Sequence, residues 1–463
     1  MEAGMKRLRS LLFVAVLTVN FSLGNPVQNT GPGTKRTTLA NGLTVILLEK
    51  HQLPMVEGLL VVKSGALADP KSKEGLANLV CNLLTKETSN RTREDIESTV
   101  DATGGDLQTK VDWDSSQISF HVLKKEMPSL LKLVADLVQH PSFPAAEIKR
   151  EKELTLERIH QIGNDNWRTA DRWFFRLLHQ GSRLSLLPEG EEETLAKIGL
   201  PEVKQFYQAN YVPANCILML GGDVGGSDLA MVQDVFAEWK GSRAIRHSIP
   251  ENSPEFNENS IWMVDKPDMS QAQIRIGHKG ISRQSPDYLS TEVLNALLGG
   301  GFSSRLMEEL RRKRGLTYGV QSQFVCGRTS GTFFIWTFAS NPKVGEIIEL
   351  TLEELAKMKR GDISEKEIGS AERYLQGVEA MGLESPADIE NRLLDFELNG
   401  LPLSSFFSYG EDIKRVSVAD VRRAAAKYLS PEGNVIMILG RRSEIESQLR
   451  SLKGKLNFVS AKD

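Results

Sequence analysis

Arg311 and Tyr318 stand seven residues apart in the run Leu310-Arg311-Arg312-Lys313-Arg314-Gly315-Leu316-Thr317-Tyr318. An arginine offers fixed N–H donors that can pair a peptide carbonyl. A tyrosine hydroxyl can donate to a carbonyl oxygen or to the oxyanion that forms from it. Neither group needs a metal. A plainer reading stands beside this one: cations at a helix end favour the macrodipole, and Tyr318 fits an ordinary strand aromatic. Cys81 has the type of a nucleophile, but no histidine neighbours it in sequence, and cysteine is often a small buried hydrophobe. His51, His121, His140, His160, His179, His247 and His278 show no His-x-x-x-His spacing, so they suggest no metal site. Asp112 and Asp114 flank Trp113 and read as a solvated turn. Gly299-Gly300-Gly301 lacks the Gly-Lys-[Ser/Thr] ending of a phosphate loop and reads as a turn between helices.

The elements that must position these residues are legible as a duplication. Asn215-Cys-Ile-Leu-Met-Leu-Gly221 and Asn434-Val-Ile-Met-Ile-Leu-Gly440 are both buried-strand patterns ending in glycine, 219 residues apart. Each follows a short helix closed by Tyr and Pro (Tyr211 and Pro213, Tyr428 and Pro431). A repeat of that length implies two similar domains rather than a solenoid. In the first half, Thr37 to Leu48 predicts a hairpin around Asn41-Gly42, Met55 to Val62 a strand, and Glu74 to Leu84 a helix with apolar residues at helical spacing. Thr92 caps a further helix that stops at Gly104-Gly105. Ile118, Phe120 and Val122 alternate as a strand, and Leu130, Val134, Leu137 and Val138 mark a helix closed by Pro141. The second half repeats this grammar. Strands are expected near 261–264, 273–276, 317–324 and 332–338, and helices from Tyr288, over 303–313 and around 344–359. Ser364 and Glu367 form a capping box. The fold class expected is α+β: two similar domains, each an antiparallel-rich sheet covered by helices.

Composition sets outer limits. The chain has 463 residues, 40% hydrophobic and 25% charged, ordinary globular proportions that exclude a disordered or collagen-like chain. Lys+Arg 57 against Asp+Glu 60 gives a net charge of −3, without the basic surplus that nucleic-acid binding needs. Three cysteines are too few for a disulfide framework. Lys6, Arg7 and Arg9 precede a largely apolar run from Leu11 to Leu23, and Ser22-Leu23-Gly24 supplies small residues for cleavage. Residues 1–24 are therefore expected to be a secretory signal peptide. The apolar run is shorter than the ~20 residues a membrane span needs. The mature chain is expected to be exported without a membrane span, to the periplasm if the source is a Gram-negative bacterium. Residues 34–240 and 261–450 are then the two domains, and the polar stretch 241–260 their linker.

Gly75-Leu76-Ala77-Asn78-Leu79-Val80-Cys81-Asn82-Leu83-Leu84-Thr85-Lys86-Glu87-Thr88 resembles the signature helix of the pitrilysin/insulinase metallopeptidases (M16), the inverted zincins with a His-x-x-Glu-His motif. In that family two histidines at i and i+4 hold Zn²⁺, and the glutamate between them activates the zinc-bound water. A third ligand, a Glu, follows about 76 residues beyond the second His. Against that pattern Asn78 replaces the first His, Cys81 the catalytic Glu, Asn82 the second His, and Arg158 the third ligand. Glu157 is adjacent to Arg158 but points ~100° around the helix. Neutral amides are poor zinc ligands, and one thiolate cannot hold the ion alone. No metal is expected in this chain.

The second half is better preserved. Leu298-Gly299-Gly300-Gly301-Phe302-Ser303-Ser304-Arg305-Leu306 leads to Arg311 and Tyr318 and resembles the family's substrate-holding element. There an Arg and a Tyr seven residues later reach across a clamshell cavity to the substrate. The resemblance covers essentially the whole chain after residue 24. It implies a non-catalytic subunit of a heterodimeric zinc peptidase, with the zinc in a His-x-x-Glu-His partner and an unfolded peptide as substrate, held by Arg311 and Tyr318. The alternative is a structural or peptide-binding pseudopeptidase, because the family's fold alone does not imply cleavage.

Overall fold

The computed structural model describes residues 27–241 and 254–461. The expected leader over 1–24 and residues 242–253 of the expected linker lie outside the described residues. Two sheets organise the chain. The first contains Gln28–Gly31 (β1), Thr34–Thr38 (β2), Thr44–Glu49 (β3), Met55–Val62 (β4), Asp106–Val111 (β5), Ser116–Leu123 (β6) and Cys216–Gly222 (β7), in the order β1-β2-β3-β7-β4-β6-β5. The second contains Ser260–Asp265 (β8), Gln271–Gly280 (β9), Val320–Cys326 (β10), Gly331–Ser340 (β11), Val435–Gly440 (β12) and Lys455–Ser460 (β13), in the order β10-β11-β9-β12-β8-β13.

The duplication seen in the sequence is a duplication of topology. Five strands, β3-β7-β4-β6-β5, correspond one for one to β8-β12-β9-β11-β10. In both halves the first pair is parallel and the other three pairs are antiparallel. The parallel pair has a simple cause: β7 and β12 return only after a long helical excursion, which permits a crossover where a hairpin would force antiparallel pairing. β7 and β12 are buried along their whole length, as their unbroken apolar runs require of central strands. The second sheet also runs past residue 450, because β13 pairs in parallel with β8.

In the first half the helices are Leu76–Leu83 (α1), Arg93–Thr103 (α2), Met127–Gln139 (α3), Ala145–Asn164 (α4) and Asn166–Leu178 (α5), followed by shorter ones. Thr92 caps α2 through a capping box with Asp95, and Gly104 ends it in the left-handed region (φ 62°). α1 and α3 carry one apolar face into the main core of their own half, where Leu79, Leu83, Leu130 and Val134 meet Leu60, Ile118 and Phe120.

The two halves interlock. α5 belongs to the first half, yet Ala170, Phe174 and Leu177 pack on Val264, Phe334, Met437 and Leu439 of the second sheet. The helix Pro386–Asn399, 220 residues later, returns the exchange: Ile389, Leu393 and Phe396 pack on Ile46, Leu59, Val61 and Met219 of the first sheet. Each sheet is therefore covered on one face by its own helices and on the other by a helix from the opposite half. Arg275 on β9 sits at one of these crossings with a side-chain exposure of 0%. Its Nε donates to Asp171 of α5 at 2.6 Å, its Nη2 to the Trp167 carbonyl at 3.3 Å, and its guanidinium lies 4.5 Å from the Trp167 ring.

Candidate functional site

α1 is held in place before any of its side chains act. Its first turn is capped by the Asp69 carboxylate, which accepts N–H bonds from Gly75 (2.8 Å) and Ala77 (2.7 Å). Gly75 takes φ 96°, and a Cβ there would lie 2.5 Å from the Glu189 carbonyl oxygen. Only glycine fits both demands. All eight residues of α1 are buried, so the helix cannot turn its polar positions to solvent.

Asn78 and Asn82, one turn apart, share a hydrogen bond of 3.0 Å from Asn82 Nδ2 to Asn78 Oδ1. Asn82 Nδ2 also reaches Glu151 Oε1 at 3.1 Å, and Asn82 Oδ1 accepts from Thr109 Oγ1 of β5 at 2.8 Å. Arg158 on α4 donates from Nη2 to the same Glu151 oxygen at 2.6 Å and to Thr155 Oγ1 at 2.9 Å. Lys86 lies 3.8 Å from the other Glu151 oxygen. Of the four positions singled out in the sequence, Asn82 and Arg158 thus meet on one carboxylate, and Asn78 joins them through Asn82.

That carboxylate is the residue sequence reasoning missed. Glu151 lies seven residues before Arg158, two turns along the same face of α4, and its side chain is only 4% exposed. The i, i+7 spacing was the available signal. A buried carboxylate needs a counter-charge, and here Arg158 and Lys86 of the same chain supply it. The donor set does not fit zinc. Two neutral amides bond to each other, Asn82 also bonds Glu151, and the Arg158 guanidinium donates to the same Glu151 oxygen. Among the described residues no group of three His, Cys, Asp or Glu side chains gathers where it could hold a metal.

Cys81 is not part of this cluster. Its thiol points the other way and donates to the Gln117 carbonyl at 3.5 Å. Burial pushes it up to about 12, which removes the thiolate on which reactivity depends. All three cysteines are free thiols. Native protein treated with iodoacetamide at pH 8 is expected to leave Cys81 unmodified by peptide mass spectrometry, and to label it fully once unfolded in guanidinium. Stoichiometric labelling of the folded chain would contradict the inert reading.

The structure brings Arg311 and Tyr318 together. The helix that carries Arg311 starts at Arg305, two residues later than expected, and widens into π-helical turns over Met307–Lys313; the glycine run expected as a turn between helices begins inside another such turn, Ala296–Gly300. Gly315 (φ 62°) then reverses the chain toward β10, as Gly104 does before β5. The Arg311 guanidinium lies 4.4 Å from the Tyr318 ring and 4.9 Å from the Phe302 ring. The neighbouring cations are all satisfied: Arg312 by Glu308 at 2.5 Å, Lys313 and Arg314 by Glu309 at 3.2 and 2.9 Å. Among the described residues Arg311 has no carboxylate partner, and aromatic rings flank it instead. Tyr318 is 75% exposed and Phe302 62%, an unusual display for such side chains. No hydrogen bond or ion pair among the described residues joins this cluster to the one around Glu151. Among those residues no helix is long and apolar enough to cross a membrane.

Comparison with known proteins gives a consistent result. A family model described as insulinase (peptidase family M16) matches residues 44–182, and one described as peptidase M16 inactive domain matches residues 197–375. The chain is 27% identical over 430 residues to an uncharacterised zinc protease of Mycobacterium tuberculosis, spanning 91% of this chain and 97% of the relative. A similar protein of Streptomyces coelicolor is 26% identical over 418 residues, 88% and 90% of the two chains. The crystal structure of a peptidase M16 inactive domain from Pseudomonas fluorescens superposes with a TM-score of 0.81 at 27% identity, covering 89% of this chain and 98% of that one. The first half of the periplasmic protease PqqL from Escherichia coli shares the fold, with a TM-score of 0.77 at 15% identity over 91% and 95% of the two chains.

Proposed function

Because this chain belongs to the M16 (insulinase) peptidase family and lacks its catalytic motif, we propose that it is the substrate-holding subunit of a heterodimeric zinc peptidase that degrades unfolded peptides. The observation that carries this reading is Arg311. It is the one cation of its run without a carboxylate among the described residues, and it stands between two exposed aromatic rings. A guanidinium so placed keeps its N–H donors for a peptide carbonyl, while the Tyr318 hydroxyl is free to donate to the same or a neighbouring oxygen. β10 begins two residues after Tyr318 and ends its sheet, so a bound peptide can add to it as a further strand. The zinc and its water belong, in this reading, to a partner of the same family that retains His-x-x-Glu-His. Export of the chain by its leader segment is part of the same proposal.

The test is co-purification with zinc-motif M16 homologues from the same source, followed by peptide hydrolysis by the partner alone and by the pair. The expected result is a stable pair that cleaves unfolded peptides at least ~10-fold faster than the partner alone, a modest demand on an added binding surface. A pair that forms without any gain in hydrolysis favours the structural or peptide-binding pseudopeptidase instead.

A further inference from the structure

From the surroundings of Arg311 we infer that Phe302 and Tyr374 wall a subsite for an apolar side chain, aromatic or long aliphatic, of an extended peptide. The inference rests on the peptide-holding reading of Arg311 and Tyr318 and adds which peptides are preferred. Tyr374, on the helix Glu365–Met381, donates its hydroxyl to the Gly300 carbonyl at 2.8 Å. Its ring lies so close to the glycine run that a Cβ on Gly301 would sit 2.9 Å from Tyr374 Cζ. The polar end of Tyr374 is thereby satisfied and its ring left partly exposed beside the residue that precedes Phe302. Phe302 in turn flanks Arg311. One end of this surface is a guanidinium with free donors and the rest is apolar, the combination that orients a ligand by one polar group while burying its hydrocarbon.

The apolar surface continues along the same helix through Val378 and Met381, four and seven residues beyond Tyr374 and both exposed. The repeat indicates where this face looks. With the 220-residue offset of the interlocking helices, Ala371, Tyr374 and Val378 correspond to Glu151, Leu154 and Arg158 of α4. The stripe is thus the second half's counterpart of the face that carries the degenerate metal position, with apolar residues where the first half has a charged pair. The charged groups nearby are neutralised in pairs: Glu308 by Arg312, Glu309 by Lys313 and Arg314, Glu367 by Arg305, and Glu379 by Arg392. Arg373, the neighbour of Tyr374, donates to Ser370 Oγ at 3.2 Å. The occupant that fits is a peptide whose carbonyl meets Arg311 and whose apolar side chain lies on Phe302 and Tyr374.

The experiment measures binding of fluorescein-labelled Ser/Gly/Thr peptides with one central Phe, Leu, Asp, Lys or Ser to the full chain by fluorescence anisotropy. The Phe and Leu peptides are expected to bind about tenfold tighter than the Ser peptide. Phe302→Ala and Tyr374→Ala should bring them to the level that the Ser peptide shows with the same variant, whereas Phe302→Leu should keep the preference. Arg311→Ala should weaken every peptide alike. Because Phe302 is exposed, its replacement leaves the core intact, and a circular dichroism melt verifies this. Equal binding of all peptides by wild type, tightest binding of the Asp peptide, or an unchanged preference in Phe302→Ala overturns the apolar subsite while leaving the peptide-holding role standing. Binding of no peptide at all overturns both.

Discussion

Arg311→Ala, introduced into the assembled heterodimer, is expected to lower peptide hydrolysis about a hundredfold, the scale seen when one pre-positioned donor to a reacting carbonyl is removed. The prediction follows from the absence of alternatives nearby. Arg312, Lys313 and Arg314 are already tied to Glu308 and Glu309, so no neighbouring cation can swing into the vacated place. Tyr318→Phe separates two contributions at the same spot. It keeps the ring that lies 4.4 Å from the guanidinium, so Arg311 stays oriented, and it removes only the hydroxyl. If that hydroxyl donates to oxygen charge that develops during cleavage, kcat falls and KM does not. Arg311→Ala, which removes a contact made to the bound peptide as well, should raise KM in addition. Steady-state kinetics of the pair, with partner zinc content held equal, measures both. Unchanged turnover in both variants would remove the substrate-holding role.

The largest expected effect on stability lies far from that site. Asp171→Ala should destabilise the chain by about 3 kcal/mol, because it leaves the guanidinium of Arg275 buried without its one carboxylate partner among the described residues. The remaining partners, the Trp167 and Ile274 carbonyls and Gln273, are neutral and accept at 3.1 Å or beyond. The effect should strike the grip of α5 on the second sheet, so interlocking and global stability fall together. Adding Arg275→Met to Asp171→Ala should recover much of the loss, since a buried ion pair is often replaced by apolar side chains at little cost, whereas half a pair is not. Urea unfolding of wild type, single and double variants tests this. A single variant within about 0.5 kcal/mol of wild type, the range of ordinary surface changes, would mean that Arg275 is solvated in solution.

That ion pair also marks the limit of what the sequence discloses. The hairpin at Asn41-Gly42, the strand Met55–Val62, the capped helix after Thr92 and the helix Val344–Lys359 are all local matters. Turn chemistry, alternation and capping residues determine them, and they stand where the pattern predicts. α5, which buries Ala170, Phe174 and Leu177, is not among the elements read from the sequence, and no local rule says which sheet its apolar face will find. It finds the sheet of the other half. Arg275 is a charge within a strand expected near 273–276, and it is buried only because the arriving helix covers it. The same distinction runs through the candidate site. Arg311 and Tyr318 are near neighbours across one turn at Gly315, so their seven-residue spacing suffices to pair them. Glu151 is 69 residues from Asn82, and its central place among Asn82, Lys86 and Arg158 depends on how α4 packs on α1.

The account turns on the cluster around Glu151, where an arginine of the chain itself stands in for the positive charge an M16 peptidase would draw from a metal. Metal analysis of the purified chain, combined with a peptide hydrolysis assay in the absence of any partner, tests this most directly. The prediction is less than about a tenth of a zinc ion per chain after dialysis against zinc, as expected of a site that offers no imidazole and whose single carboxylate is already bound by Arg158, and no hydrolysis that a chelator can abolish. One zinc ion per chain together with chelator-sensitive cleavage by the chain alone would contradict it.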